Sequence, residues 1–427
     1  LNVDPGKATN RTVMTFVGDP DSVIKAAFNA IKIASEKIDM TRHKGEHPRF
    51  GATDVCPLIP VSNISLKELV PYAEKLAKRV SEKLNIPIYL YEYAAKEEKR
   101  KNLANVRSGE YEGLKEKISK KEWKPDFGNS FNKKSGATAI GVRDFLIAYN
   151  INLNTKSTRL ANAIAFDIRE KGRIKRKGHP VIGDIVYDKN GNPETIPGSL
   201  EHVKAIGWYI EEFGIAQISM NLTNITKTPI HTVFEEVSKK AQNRGARVTG
   251  SELVGLIPLN SILDAGRYFL KKQNRSIGIP ESDIIKIAVE SLGLSQVKDF
   301  EPEKNIIEYY LDRISNKGNK LVDLSVREFS DEVFRESPAP GGGSVSSYVG
   351  SLGTSLAGMV ANLSCNTRGW EDKVDTFSDI AYNINKISEE LLFLVDEDSN
   401  AFNKIMNAYK LPKNNEKESK ARLEAIN

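Results

Sequence analysis

Between residues 144 and 254 the hydrophobic pattern alternates between a period of two and a helical period, in an order that few folds accommodate. The run DFLIAYNINLN reads as a strand, and a helix follows Thr155 to about Glu170. HVKAIGWYIE and IAQISMNL read as two strands with a short connection, a helix starts at Pro229, and RVTGSEL reads as a last strand. That sequence is βαββαβ, the split order in which helices cover one face of an antiparallel sheet. A basic, glycine-containing insert at residues 173–198 interrupts it, and its NG and NP signals predict a surface hairpin or loop.

The flanking segments read differently. TVMTFVG, residues 12–18, is β-branched and aromatic, and Pro20 with Asp21 opens a helix with Val23, Ala27, Phe28, Ile31, Ala34 and Ile38 at helical spacing. A strand near 52–61, a helix from Ser65 and the strand PIYLYEY make this half α/β. After a helix near 303–313, the polar SNKGNK reads as a linker. Ser325 with Glu328 forms a capping-box pattern, SPAPGGGS precedes a long helical stretch, and the remainder reads all-helical.

Composition removes several classes of function. A chain of 427 residues argues for two or three domains at roughly 150 residues each. Cys56 and Cys365 are far apart with no CxxC pair, which excludes a zinc knuckle or a disulfide framework and fits a reducing compartment. Lys and Arg exceed Asp and Glu by 62 to 56, too dilute an excess for a nucleic-acid binder, although a local anion site stays open. No signal peptide is visible, so cytosol is the default. LNVD reads as the end of a strand whose partners lie upstream, and KESKARLEAIN carries no helix stop, so the chain reads as a fragment. Of the 20 residues from Val345 to Ser364 only ten are apolar, too few for a membrane span.

Four clusters invite chemistry. TRHKGEHPRFGATD gathers His43 and His47, two of five histidines, with Arg42, Lys44, Glu46, Arg49 and Asp54. It matches HxxEH, but Gly45 interrupts a helix and Pro48 pushes His47 toward extended geometry, so zinc is disfavoured. What remains is a solvated basic loop or a histidine general base. The second cluster, DFGNSFNKKSGATAIG, sets glycines around Lys133 and Lys134, which suits carboxylates or phosphates but equally an ordinary basic turn. Gly350, Gly353, Ala357 and Ala361 suggest close helix packing, and the preceding GGG an anion held by free backbone N–H groups. In LVDEDSNAF the acidic residues are either the wet face of a helix or include a carboxylate turned into a helical core.

Taken together and in order, these segments resemble the formimidoyltransferase-cyclodeaminase family of folate enzymes in histidine degradation. The resemblance rests on NRTVMTFVG, DMTRHKGEHPRFGATDVCPLIPV, KNLANVRSGEYEGL, FLIAYNINLN, GWYIEEFGIAQISMNL, GSELVGLIPL, APGGGSV and LVDEDSNAF. It implies transfer of a formimidoyl group from N-formimidoyl-L-glutamate to N5 of tetrahydrofolate, then ring closure to 5,10-methenyltetrahydrofolate with release of ammonia. Tetrahydrofolate would be a co-substrate, and no metal is implied. His47 would be the transferase base, Asp398 the cyclodeaminase aspartate, and Asp4 an accessory group. The folate-binding loop falls on Gly128, Asn129, Ser130, Phe131, Asn132, Lys133, Lys134, Ser135 and Gly136.

The fold so implied is α+β, with two ferredoxin-like α/β subdomains of helices packed on β-sheets and then an all-α helical bundle, incomplete. Its divisions fall at 1–143, 144–314, a linker at 315–320 and 321–427, with the first strand and helix missing. The resemblance also implies a cytoplasmic homo-oligomer with no nucleic-acid partner. Two departures accompany it: Ser135 stands where members often carry an aromatic, and insert 173–198 is longer than in the animal form. The rivals are a glutamate formyltransferase and a non-catalytic folate-binding relative.

Overall fold

The computed structural model describes residues 2–6, 10–45, 48–178, 182–315 and 320–426. The chain divides into two compact units, Leu1–Leu146 and Ile147–Asn427.

The first unit opens with an antiparallel hairpin of β1 (Asn2–Gly6) and β2 (Arg11–Thr15). The ladder partner of LNVD therefore lies downstream, in the segment read as a strand over 12–18. Helix α1 (Pro20–Lys37) starts where Asp19 accepts the Ser22 N–H and Pro20 supplies a preset φ. Strand β3 (Val55–Leu58) leads to α2 (Leu66–Leu84), which opens with a reciprocal Ser65/Glu68 capping box and stops at Asn85 in the left-handed region. Strand β4 (Ile88–Glu92), three short helices α3 (Glu98–Lys101), α4 (Leu103–Arg107) and α5 (Leu114–Ser119), and β5 (Thr138–Val142) complete it. The order β3-β5-β4 is parallel throughout, with β5 seated between the two strands that α2 joins.

A parallel sheet needs both faces covered, and this one has them. Ile88, Leu90, Ile140 and Val142 face α1 and α2, whereas Tyr89, Tyr91 and Ala139 face Phe50, Val106, Leu114 and Ile118. The second face is thus roofed by short helices and loops, among them the segments that carry the polar clusters.

The second unit realises the βαββαβ order. Strand β6 (Ile147–Leu153), α6 (Thr158–Ile168), two small hairpin ladders of two-residue strands β7 (Arg173–Ile174), β8 (Arg176–Lys177), β9 (Asp184–Ile185) and β10 (Thr195–Ile196), then β11 (Val203–Ile210), β12 (Ile215–Leu222), α7 (Ile230–Gln242) and β13 (Val248–Val254) follow in turn. The sheet order is β11-β12-β6-β13, all antiparallel, as that split order requires. The insert forms the surface ladders β10-β7 and β8-β9, with His179, Pro180 and Val181 outside the described residues.

Helices α8 (Leu259–Lys272), α9 (Glu281–Leu292), α10 (Pro302–Asn305) and α11 (Ile307–Ser315) come next, so the helix read over 303–313 is broken at Ile306. Most of the linker read at 315–320 lies outside the described residues. The all-helical remainder is α12 (Val326–Phe334), capped by Ser325 and Glu328, then α13 (Gly342–Ser364), α14 (Val374–Tyr409) and α15 (Glu416–Ile426). No helix among the described residues is long and apolar enough to cross a membrane.

Helix α13 buries Ser344, Ser351, Gly358 and Ala361, and α14 buries Ala381, Ser388, Val395 and Ser399. The seam is therefore built partly from serine and shifted from the stripe Gly350, Gly353, Ala357 and Ala361 that the sequence suggests. Serine serves because its hydroxyl is satisfied within the helix pair: Ser351 Oγ donates to Tyr348 O of its own helix at 2.8 Å, and Ser344 Oγ to Val395 O of α14 at 2.7 Å. Gly353 faces open space, while Gly350 lies against Leu391.

Candidate functional site

In the first unit backbone hydrogen bonds bring together the two polar clusters, some eighty residues apart in the chain. Met40 N–H donates to Lys134 O at 2.8 Å, Ala52 N–H to Ser135 O at 2.8 Å, and Ala137 N–H to Phe50 O at 3.0 Å. Gly51 and Gly136 form an isolated antiparallel bridge between them. Glycine is needed at both: a Cβ on Gly51 would lie 1.7 Å from Ala137 O, and Gly136, at φ +67°, would place one 2.2 Å from Phe50 O. The loop at 128–136 is held from the other side by Asn85, whose carbonyl accepts from Asn132 Nδ2 at 3.1 Å and whose side chain accepts from Ser130 at 3.2 Å. Lys133 and Lys134 are exposed, with Lys134 Nζ on Glu36 O at 2.7 Å.

The histidine loop is anchored by buried charge. Asp54, 7% exposed, accepts the Phe50 N–H at 3.0 Å and pairs with Arg107 at 2.5 Å and Arg11 at 3.1 Å. Burial lowers the Arg11 pKa against the pull of Asp54. Arg49 makes a fork to Glu112 at 2.8 and 2.9 Å, with Glu110 at 3.1 Å, and donates to His43 O at 3.1 Å. The Glu112 bond raises the Arg49 pKa and, in return, holds the Glu112 carboxyl below its usual range. His43 Nε2 lies 2.8 Å from Asn10 O, and its Nδ1 is enclosed with no hydrogen-bond partner among the described residues. His47 and Glu46 lie outside the described residues, and of Asp4 only the backbone, in β1, is described.

The segment KNLANVRSGEYEGL supplies the groups that meet this loop, and nothing in its composition singles them out. Lys117 fastens it from beneath, donating to Asn105 O, Val106 O and Ser108 O at 2.8, 2.8 and 3.0 Å; burial, with Arg100 and Lys120 nearby, pushes its pKa down to about 8.

In the second unit a largely buried polar network emerges that sequence reasoning missed. The face of the sheet opposite Tyr149, Ile151 and Leu153 carries Asn150, Asn152, Gln217 and Glu252 in cross-strand register. Gln217 Nε2 donates to Asn152 Oδ1 at 2.8 Å and to Glu252 at 3.2 Å, Asn150 donates to Glu252 at 3.1 Å, and Trp208 Nε1 reaches Gln217 Oε1 at 3.2 Å. Strict alternation of amides with apolar residues in YNINL was the available signal.

The helical region holds the last candidate. Asp398 Oδ2 accepts the Ser344 N–H at 2.9 Å and its hydroxyl at 3.2 Å, at the N-terminus of α13. The anion that this helix start receives is thus a carboxylate of the chain itself. Asp398 is exposed, neither buried in a helical core nor free of contacts. Gly343 leaves it room, because a Cβ there would sit 2.2 Å from Asp398 Oδ1. Neighbouring Asp396 is spent on the backbone, accepting Leu321 N–H at 2.6 Å.

Three family models match in succession: the formiminotransferase domain, N-terminal subdomain over residues 1–143, the formiminotransferase domain over 148–312, and formiminotransferase-cyclodeaminase over 325–427. The chain is 44% identical over 427 residues to a formimidoyltransferase-cyclodeaminase of Gallus gallus, covering all of this chain and 75% of that protein. It is 43% identical over 432 residues to one of Dictyostelium discoideum, covering all of this chain and 76% of that protein. A glutamate formimidoyltransferase of Streptococcus pyogenes serotype M1 is 38% identical over 312 residues, 73% of this chain and 88% of that protein.

Proposed function

Because the chain belongs to the formimidoyltransferase-cyclodeaminase family, we propose that it moves a formimidoyl group from N-formimidoyl-L-glutamate to tetrahydrofolate and then closes the adduct. The tetrahydrofolate N5 attacks the formimidoyl carbon, and the N5–C bond forms as His47 takes the N5 proton. The carbon–nitrogen bond to glutamate breaks as His47 returns that proton to the departing amine. Asp4 is an accessory group that orients the base or touches substrate. In the second step N10 attacks the same carbon of the protonated formimidoyl group, and Asp398 carries the N10 proton to that group's nitrogen, which departs as ammonia and leaves the cationic methenyl bridge. The product is 5,10-methenyltetrahydrofolate.

The observation that carries this reading is the backbone ladder tying the histidine loop to residues 134–137. It sets a proton-transfer loop against a glycine loop with two exposed lysines, suited to the carboxylates of a folate. Residues Gly128, Asn129, Ser130, Phe131, Asn132, Lys133, Lys134, Ser135 and Gly136 form the folate site in this reading. The functional divisions run 1–143, 144–314 and 321–427 about a linker at 315–320. We place the protein in the cytoplasm as a homo-oligomer, to be checked by fractionation and light scattering.

The test uses N-formimidoyl-L-glutamate and tetrahydrofolate, following methenyl absorbance and ammonia for the wild type, His47→Ala and Asp398→Ala. The expected result is neither product with His47→Ala and accumulation of 5-formimidoyltetrahydrofolate with Asp398→Ala. A wild type inert with this donor but active with formylglutamate would overturn the donor assignment. Folate binding without turnover of either donor would overturn the enzymatic reading.

A further inference from the structure

The turn Arg107–Glu112 touches both loops of the first-unit site and has no part in the chemistry above. Its side chains alternate. Arg107 pairs with Asp54, which holds the Phe50 N–H; Glu110 and Glu112 both reach Arg49. Tyr111, between those two carboxylates, points the other way: its hydroxyl donates to Lys133 O at 2.6 Å, and its ring lies 5.9 Å from that of Phe131. The Tyr111 backbone still serves the histidine loop, its N–H donating to Arg49 O at 3.0 Å.

The turn is made to hold this arrangement. Gly109 and Glu110 both have positive φ, +85° and +50°, and the latter is a conformation that L side chains rarely adopt. Gly113 closes it, donating to Gly109 O at 2.7 Å, and a Cβ on Gly113 would lie 2.7 Å from that same oxygen. Lys117 ties the carbonyls on the N-terminal side to α5. Backbone held in a sparsely populated region persists only where its surroundings over-determine it. Here the surroundings are the two loops themselves.

We propose that Tyr111 is a positioning residue that couples the glycine loop to the histidine loop, so that folate seated on residues 128–136 and the base on the other loop are set by one rigid turn. The inference rests on the functional reading above. Each side of the turn then has its own kinetic consequence. Losing the Tyr111 hydroxyl loosens the folate side, while losing Glu112 loosens the base side through Arg49. Burial, with Asp39 and Glu112 nearby, pushes the Tyr111 phenol up, so it remains a donor throughout the neutral range.

Tyr111→Phe keeps the ring and removes one hydrogen bond, a change of about fivefold. It should raise the tetrahydrofolate KM by that factor, with kcat falling much less. Glu112→Ala should do the reverse, lowering kcat about fivefold with the folate KM nearly constant. Hydrogen exchange reads the same coupling without turnover: the Ser135 and Gly136 amides should exchange faster in Tyr111→Phe, and the Phe50 amide faster in Glu112→Ala. Both variants altering KM and kcat in the same proportion, or Tyr111→Phe leaving KM and loop exchange unchanged, would overturn the coupling. Wild type and His47→Ala run alongside: an inert wild type counts against the functional reading, while the exchange result still decides the coupling.

Discussion

Replacing Asp54 by Asn tests whether buried charge, and not backbone hydrogen bonding alone, fastens the histidine loop. The amide matches the carboxylate in shape and can still accept the Phe50 N–H. What disappears is the negative charge between Arg107 and Arg11, whose side chains are 14% and 23% exposed. Removing one partner of a fully buried pair costs roughly 3–5 kcal/mol, because the opposite charge is left uncompensated. The charge so left is that of Arg107, which water reaches in part, and this places the loss at the low end, near 3 kcal/mol. Because Asp54 lies at the entrance to β3, the loss should be felt by the whole first unit. Hydrogen exchange at the β4 amides of Tyr89 to Tyr91, buried at the centre of that unit, reports its opening. Their protection should fall about 100-fold, since every 1.4 kcal/mol is tenfold. A fall below threefold would refute the reasoning and assign the anchoring to the backbone ladder with residues 134–137.

Three further outcomes follow from single contacts. Gly343→Ala meets only the movable end of a side chain, so stability should change little while the Asp398 carboxylate is displaced. Ring closure should then slow about 100-fold, as expected for a misplacement near 1 Å, with glutamate release unchanged; equal loss of both steps would contradict it. Gly136→Ala adds a left-handed penalty and a clash with the Phe50 carbonyl, which cannot rotate away. It should cost roughly 2 kcal/mol or more in urea unfolding and weaken folate binding; an unchanged midpoint would contradict it. Desolvation pushes the thiol of the half-buried Cys56 up to about 12, so at pH 8 iodoacetamide should label Cys56 far more slowly in the native protein than in denaturant. Equal labelling rates in the two states would contradict that shift.

What could be read without the structure was local in origin. The βαββαβ order of the second unit follows from periodicity in short windows, and the caps at Ser65 and Ser325 follow from residues three apart. The clustering of glycines around Lys133 and Lys134 was legible, but not that Gly136 must clear the Phe50 carbonyl. The seam of α13 was legible in part: Ala361 and Gly350 lie on it, but Gly353 and Ala357 do not, and Ser344 and Ser351 join it because their hydroxyls are satisfied within the helix pair.

The sequence by itself determined most of the sheet strands and the long helices packed on them, where several of them begin, and which residue types could move a proton or hold a carboxylate. Those properties depend on neighbours within a few residues, and a short window contains them. Tertiary structure decided which cluster meets which: that Ser135 lies on Ala52, that Tyr111 reaches Lys133 while Glu112 reaches Arg49, and that Asp398 settles on Ser344. The same holds for the amide face of the second sheet, where Gln217 finds Asn152 across the strands and Asn152 also donates to Gln296 beyond α9. Such pairings depend on how sheets and loops close over long separations, and residues far apart in the chain carry no local mark of the partner they will find.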